Sequence, residues 1–271
     1  MARMAAGSRS ARRNCTRRLL PDAASVESIA GSPLENDSLA RPMRVLAIDC
    51  STEWLAVALG DAGGFRERRE HAGQTHSERV LPLVDALLVE MGWKLADLDG
   101  IAFGAGPGSF TGIRIACGVA QGLALGRGLP VAAVPTLEAI AQDAHRAHGA
   151  ACVFACADAR MKEVYVAAYE RVDARWREVL APAVVGPAQV ALPAGSWFGA
   201  GDGLAAHPAL AARCAFSGLD ATLKPSAGAI GELGRVRLVA GQGTAAAGAL
   251  PLYVRHRVAL TTAERAAGAR L

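Results

Sequence analysis

The chain has 271 residues, 52% of them hydrophobic, and a formal charge of +4. That is enough apolar material for one large domain or two small ones, each with a core of its own. Residues 1–42 hold seven arginines against four acidic residues, so the remainder is near neutral and lacks the basic excess of a protein that binds nucleic acid by itself.

Six cysteines (Cys15, Cys50, Cys117, Cys152, Cys156 and Cys214) form neither CxxC pairs nor a disulfide-dense scaffold, and a reducing, cytoplasmic setting is expected. Cys152 and Cys156 lie four apart with no second pair, which suits small hydrophobes better than metal ligands. The first 42 residues are Arg-rich, then Ser/Pro/Ala-rich, without the apolar segment of a secretory signal. They are expected to be a disordered extension or a start placed too early, since Met43 opens the first strand directly. No run approaches the length of a membrane-spanning helix.

In chain order, Met43 to Asp49 reads as a buried strand that ends in a carboxylate. Trp54 to Leu59 and Phe65 to Glu70 are its meander partners across the Asp61-Ala-Gly-Gly64 turn. Asp49-Cys-Ser51-Thr52 in the first connection is either a holder of a metal-bound phosphate or an Asx-type turn. Thr75-His-Ser-Glu78 reads as a capping box opening a helix to about Met91, with Pro82 expected to bend it. That helix carries two apolar stripes, Val80/Leu81/Val84/Leu87/Leu88/Met91 and Leu83/Ala86/Val89, which suit either a helix with one side on its own sheet and the other on a partner or one buried within its own domain.

The most informative stretch is Gly104-Ala-Gly-Pro-Gly-Ser-Phe-Thr-Gly-Ile-Arg114 with the helix that follows to Leu125. A strand (Ile101 to Phe103) turns through glycines into a helix capped by Ser109 or Thr111. Free N–H groups and the dipole at such a place favour an anion, and close packing is the alternative use of the glycines. Arg114 in the first helical turn is unfavourable for the dipole, so an acidic partner or a ligand phosphate is expected beside it. Ala116, Ala120 and Ala124 repeat every fourth residue, and Gly118, Gly122 and Gly126 repeat the spacing one step round. Two small-residue stripes suit a helix touched on more than one side.

Pro130 to Pro135 is a further strand and Thr136 to His148 a helix capped by Thr136, so residues 43–150 run βββαβαβα. The same plan starts again at Cys152, with a strand ending at Asp158 as the first ended at Asp49. A partner strand is expected over Glu163 to Tyr169, a Gly-rich turn after Ser196-Trp-Phe, a helix over Ser226 to Val239 and an extended end at Leu250 to Arg255. Pro182, Pro187 and Pro193 are expected to break the middle of this half. The chain therefore divides into a first lobe at 43–150, a smaller second lobe at 151–260 and a tail at 261–271. His145 and His148, one turn apart, read as solvated surface.

Four motifs in order resemble the TsaB (YeaZ) family: Met43-Arg-Val-Leu-Ala-Ile-Asp49, Gly106-Pro-Gly-Ser-Phe-Thr-Gly-Ile-Arg114, Ala157-Asp-Ala-Arg-Met-Lys-Glu-Val-Tyr165 and Pro251-Leu-Tyr-Val-Arg255. The resemblance covers about 43–260. It implies an α/β, actin-like ATPase fold of two ribonuclease H-like lobes. It further implies a non-catalytic subunit of bacterial tRNA threonylcarbamoyladenosine (t6A) synthesis, paired with the catalytic paralogue TsaD and joined by the ATPase TsaE. It touches tRNA through that complex and forms homodimers when the paralogue is absent. The paralogue's metal-binding His-x-x-x-His corresponds here to Thr136-Leu-Glu-Ala-Ile140, which has no metal ligand of that kind.

The resemblance thus implies no catalytic residue and no metal in this chain. A vestigial nucleotide cleft is expected at Asp49, Ser51, Gly106, Gly108, Ser109, Thr111 and Arg114, with no cofactor required and any ATP or ADP at the interface with the partner. The partner face is expected at His76, Arg79, Leu83, Ala86, Ile113, Ala116, Ala120 and Leu123. The alternative is an actin-like ATPase or kinase acting in its own right, with magnesium on Asp49. A peptidase has no nucleophile–base pair to support it.

Overall fold

Residues 41–254 are described in the computed structural model, and the expectations for residues 1–40, Arg255 and the tail at 261–271 lie outside them. Arg41 is already part of the fold, because its guanidinium makes two hydrogen bonds to the Asp99 carboxylate at 2.8 and 2.9 Å.

The first sheet is built from β1 (Val45–Asp49), β2 (Trp54–Asp61), β3 (Gly64–His71), β4 (Gly100–Gly106) and β5 (Val131–Pro135), in the order β3-β2-β1-β4-β5. β1 is antiparallel to β2 and parallel to β4. Every residue of β1 and β4 is buried, as continuous apolar runs in the middle of a covered sheet should be. The second sheet repeats the plan with β6 (Cys152–Asp158), β7 (Val164–Val172), β8 (Arg175–Val185), β9 (Phe198–Ala200) and β10 (Gly218–Asp220), in the order β10-β9-β6-β7-β8. Again the first strand is antiparallel to the second and parallel to the fourth. The duplication hinted at by the two strand-ending aspartates is therefore present in the pairing pattern.

β8 was not foreseen. Its sequence is broken by Pro182, but the strand lies at a sheet edge, and the pairing with β7 slips between Leu180 and Ala183. An edge strand with an irregularity tolerates a residue that cannot donate to the ladder. Instead of a simple Gly-rich turn, the segment after β9 forms two short helices, α4 (Gly203–Ala206) and α5 (Pro208–Arg213). Numbering begins with α1 (His76–Met91), α2 (Phe110–Leu125) and α3 (Thr136–His148), and ends with α6 (Ala227–Val239). Residues 250–254 are extended without strand pairing, anchored by the Leu252 N–H donating to the Ala105 carbonyl at 2.8 Å.

Two helix starts differ from expectation. Thr75 precedes α1 but caps nothing with its side chain; its hydroxyl donates to the Ala72 carbonyl instead. Thr136 opens α3 with its hydroxyl donating to the Pro107 carbonyl at 2.6 Å, so it ties the helix to the Gly-Pro-Gly turn rather than capping it. Ser109 does cap α2, accepting from the Gly112 N–H. α1 runs through Pro82 as one helix.

Residues 41–254 belong to one compact unit, and the cut at 150/151 does not follow the packing. α6, from the second half, lays Ala227, Ala229, Ile230 and Leu238 on the first sheet against Val45, Ala47 and Ala102. α3, from the first half, lays Leu137, Ile140, Ala141 and Ala144 on β6 and β7 of the second. The lobes exchange helices. α1 and α2 cover the other face of the first sheet, where Leu83, Leu87, Ala116 and Ala120 meet Ile48, Val57 and Phe103.

The entrance to α2 is the tightest place in the first lobe. A Cβ on Gly112 would lie 1.7 Å from the Cys50 carbonyl oxygen, and one on Gly108 would lie 2.5 Å from that of Ser51. Beneath them the Asp49 carboxylate accepts from the Ser51 N–H at 3.2 Å and the Ser51 hydroxyl at 3.0 Å. Burial pushes this carboxyl up to about 7, against the opposing effect of the two Ser51 hydrogen bonds.

Gly112→Ala should destabilise the protein by about 1–3 kcal/mol or more, seen as a lower denaturation midpoint, because the Cys50 carbonyl has no room to yield. For Asp49 the raised folded value means that the native state binds the extra proton. Its contribution to stability should therefore fall as pH rises from about 4 to about 7. Asp49→Asn should be more favourable relative to wild type at pH 8 than at pH 5, measured by urea denaturation at the two pH values.

Candidate functional site: an interlobe cleft and an outward helix pair

A cleft of about 740 Å3 lies between the two strand-to-turn corners, with residues of both lobes on its walls. From the first lobe come Ser51, Thr52 and Glu53 of the β1–β2 turn, and Pro107, Gly108 and Ser109 ahead of α2. From the second come Asp158, Ala159 and Arg160 of the β6–β7 turn, and Asp202. Of the seven residues expected here, Ser51, Gly108, Ser109 and Arg114 line the cleft. Asp49 and Gly106 are buried beneath it, and Thr111 is exposed outside it.

Asp49 thus takes the Asx-turn alternative. Asp158 does the same in the second lobe, accepting from the Arg160 N–H at 3.0 Å. The turn donors expected for a phosphate are partly spent inside the protein. The Ser109 N–H donates to the Ser51 carbonyl at 2.7 Å and the Gly112 N–H to the Ser109 hydroxyl at 3.2 Å. Close packing is what these glycines serve.

Three groups that sequence reasoning missed dominate the charge balance. The Lys224 ammonium, on the crossing from β10 to α6, pairs with Glu53 of the first lobe and, at 3.1 Å, with Asp202 of the second. Burial works against ionised Glu53, but the hydrogen bond and charge of Lys224, a backbone hydrogen bond and the charge of Arg160 together outweigh it and hold the carboxyl below its usual range. The link spans 171 residues, so no local pattern announces it.

Arg114 is held by other groups than the acidic partner the sequence suggested. It has no carboxylate partner among the described residues; its guanidinium carbon lies 3.5 Å from the Phe110 ring centroid and its Nε donates to the Tyr253 hydroxyl at 2.7 Å. A cation over an aromatic face, with one charge-assisted hydrogen bond, is stabilised without a counter-ion.

The expected partner face is largely interior. Ile113, Ala116 and Ala120 are 2%, 0% and 0% exposed, Leu83 and His76 are buried, and Ala86 and Leu123 are half-buried. Arg79 is exposed but engaged with Glu70 at 2.8 and 3.0 Å. The alanine stripe of α2 meets the sheet, as helices approach closely where side chains are small. Its outward face is the glycine stripe: Cβ atoms on Gly118, Gly122 and Gly126 would meet nothing within 4 Å. Half-buried Ile115 and Val119 and exposed Leu125 flank it, and α1 adds exposed Leu81 and Val89. The two histidines of α3 are not free surface either. His145 Nδ1 lies 3.0 Å from the Ala150 carbonyl, and His148 stacks on Phe198 with Nε2 2.8 Å from Asp220.

Known proteins resemble this chain over most of its length. A family model described as "TsaD: tRNA N6-adenosine threonylcarbamoyltransferase" matches residues 66–252. The "tRNA threonylcarbamoyladenosine biosynthesis protein TsaB" of Escherichia coli K12 is 40% identical over 224 residues, covering 80% of this chain and 96% of that protein. The protein of the same name from Haemophilus influenzae is 38% identical, covering 80% and 95%. The solved structure of "YeaZ from Pseudomonas aeruginosa" superposes with a TM-score of 0.72 at 42% identity, over 78% of this chain and 99% of that one. With two like-ordered sheets, and likeness at this level across nearly the whole of its relatives, the chain belongs to the TsaB (YeaZ) family of tRNA threonylcarbamoyladenosine biosynthesis proteins, on an actin-like fold.

Proposed function

We propose that this chain is the non-catalytic scaffolding and activating subunit of t6A synthesis. It docks on a TsaD-like catalytic subunit through the outward faces of α1 and α2. The observation that carries this is the exposed glycine stripe of α2, flanked by Ile115, Val119 and Leu125. Glycines in a helix interior cost up to about 1 kcal/mol each relative to alanine, and among the described residues nothing packs against Gly118 or Gly122 to offset that. A partner helix laid into the stripe would supply the missing contacts.

Two features support a non-catalytic role. Thr136 and Ile140 stand where the family's catalytic paralogue has its metal histidines; one is tied to the Pro107 carbonyl and the other is fully buried in the core. The cleft's turns spend N–H donors on each other, and its carboxylates (Glu53, Asp158 and Asp202) are paired with the chain's own Lys224 and Arg160. A polyphosphate would have to displace these pairs. The chain accordingly needs no nucleotide of its own, and ATP or ADP in the assembly belongs at the interface with the partner. A TsaE-like ATPase joins that pair, tRNA is contacted through the complex, and the same helices form a homodimer when the partner is absent. Among the described residues no helix is long and apolar enough to cross a membrane, and a cytoplasmic location follows from the tRNA role.

Gly118→Glu and Gly122→Glu should each abolish co-purification with the TsaD-like subunit while leaving Tm unchanged or raised, since both changes improve helix propensity at open positions. Retained co-purification of both variants would remove the α2 face from the interface. Calorimetric titration of the isolated chain with magnesium ATP should show no saturable heat; binding in the micromolar range, lost in Lys224→Met or Ser109→Ala, would favour the ATPase alternative.

A further inference from the structure

The last described residues run as a strap along α2. The chain pairs with β5 through Thr244, whose N–H and carbonyl bond Val131 at 2.9 and 2.8 Å, and then turns at Ala246–Gly248. From there its contacts step toward the start of the helix. The Ala249 carbonyl accepts from Gln121 Nε2 at 2.9 Å and from the Cys117 thiol at 3.4 Å, and the Tyr253 hydroxyl accepts from Arg114 Nε at 2.7 Å. Positions 114, 117 and 121 lie on one flank of α2, bordering the glycine stripe. The same strap then reaches the interlobe cleft, which Leu252, Tyr253 and Val254 line, and Val254 packs on the core of the second lobe.

Two properties set this segment apart. First, α2 leans on it. The inward face of the helix is alanine, and ridges of single methyl groups let a helix lie close to a sheet but fix its rotation and slide weakly. The close approach at Gly112 pins the N-terminal end, and the flank contacts with the strap hold the turns beyond it. Second, the strap is lightly held. Among the described residues one backbone hydrogen bond, from the Leu252 N–H to the Ala105 carbonyl, secures residues 250–254, and Leu250 and Tyr253 are 69% and 48% exposed. A segment with so few bonds opens locally, at a fraction of the free energy of global unfolding.

We propose that residues 249–254 are a conformational strap that couples the interlobe cleft to the docking face of α2. Closed, it holds the helix in the rotation that presents the glycine stripe; open, it lets the helix turn. Tyr253 is the shared piece, since it lines the cleft and holds Arg114. Docking and strap closure then favour each other by the same factor, as linkage requires. The effect on docking rests on the function proposed above, whereas the hold on α2 is a property of the chain alone.

The double variant Gln121→Leu/Tyr253→Phe removes two of the three side-chain ties, keeps apolar volume and leaves the glycine stripe untouched. In the free full-length chain, hydrogen exchange at the Leu252, Gly118 and Gly122 amides should be about tenfold faster than in wild type, with Ala47 and Ala102 of the first sheet unchanged. Calorimetric titration with the TsaD-like subunit should show affinity about tenfold weaker, with Tm lowered by only a few degrees. Docking of the wild-type chain should slow exchange at the Leu252 amide, which is bonded inside the chain rather than on the outward face of α2. Unchanged exchange at Gly118 and Gly122 in the double variant would overturn the hold on α2, and unchanged affinity would overturn the coupling. If the double variant does not fold, Tyr253→Phe alone decides by the same readings. Wild-type affinity in Gly118→Glu would count against the docking face only, and the exchange rates of the free chain would still decide the strap.

Discussion

The first lobe depends on the contact between two pieces of backbone, the Cys50–Ser51 carbonyls leaving β1 and the Gly108 and Gly112 α-carbons entering α2. No side chain fits between them. This approach sets the axis of α2 against the first sheet and consumes the N–H of Ser109. It also buries the Asp49 carboxylate under the turn, where it accepts hydrogen bonds from the Ser51 N–H and hydroxyl. The second lobe repeats the device, with Gly201 and Gly203 against the Cys156–Ala157 backbone. Both glycine turns are corner joints, where backbone meets backbone.

Between the joints the chain supplies its own ionic bridge. Lys224 stands between Glu53 and Asp202, one from each lobe, and the exchange of α3 and α6 ties the sheets to each other's helices. Partly buried ion pairs of this kind are weak arguments for net stability, but removing the cation would leave two carboxylates close together with Arg160 as the remaining countercharge on Glu53. The joints and the bridge together tie the lobes to each other. α2 then has two faces of opposite use, alanines inward and glycines outward.

Strand and helix positions were legible because their signals are local. Continuous apolar runs gave β1, β4 and β6, and Ser109 before the helical stretch gave the start of α2. β8 was hidden because Pro182 argues against a central strand, and only the sheet order shows that the strand is at an edge. Which face of α2 meets the sheet was hidden for a related reason. Ala116/Ala120 and Gly118/Gly122 are equally small, so size cannot tell which stripe touches the sheet, and the absent Cβ neighbours at Gly118 and Gly122 can only be seen in three dimensions. Arg114 was rightly singled out as needing a partner, but an aromatic face and a tyrosine hydroxyl 139 residues away served in place of a carboxylate.

By itself the sequence determined the duplicated α/β plan, the Gly-Pro-Gly corner and, by resemblance, the family, because these rest on short-range patterns of apolar period, turn residues and ordered motifs. Only the tertiary structure decided which glycines pack and which stay open, that the cleft is bridged from within by Lys224, and that Ala249 and Tyr253 brace the flank of α2. Those facts depend on contacts between residues far apart in the chain, where neither spacing nor composition carries the information.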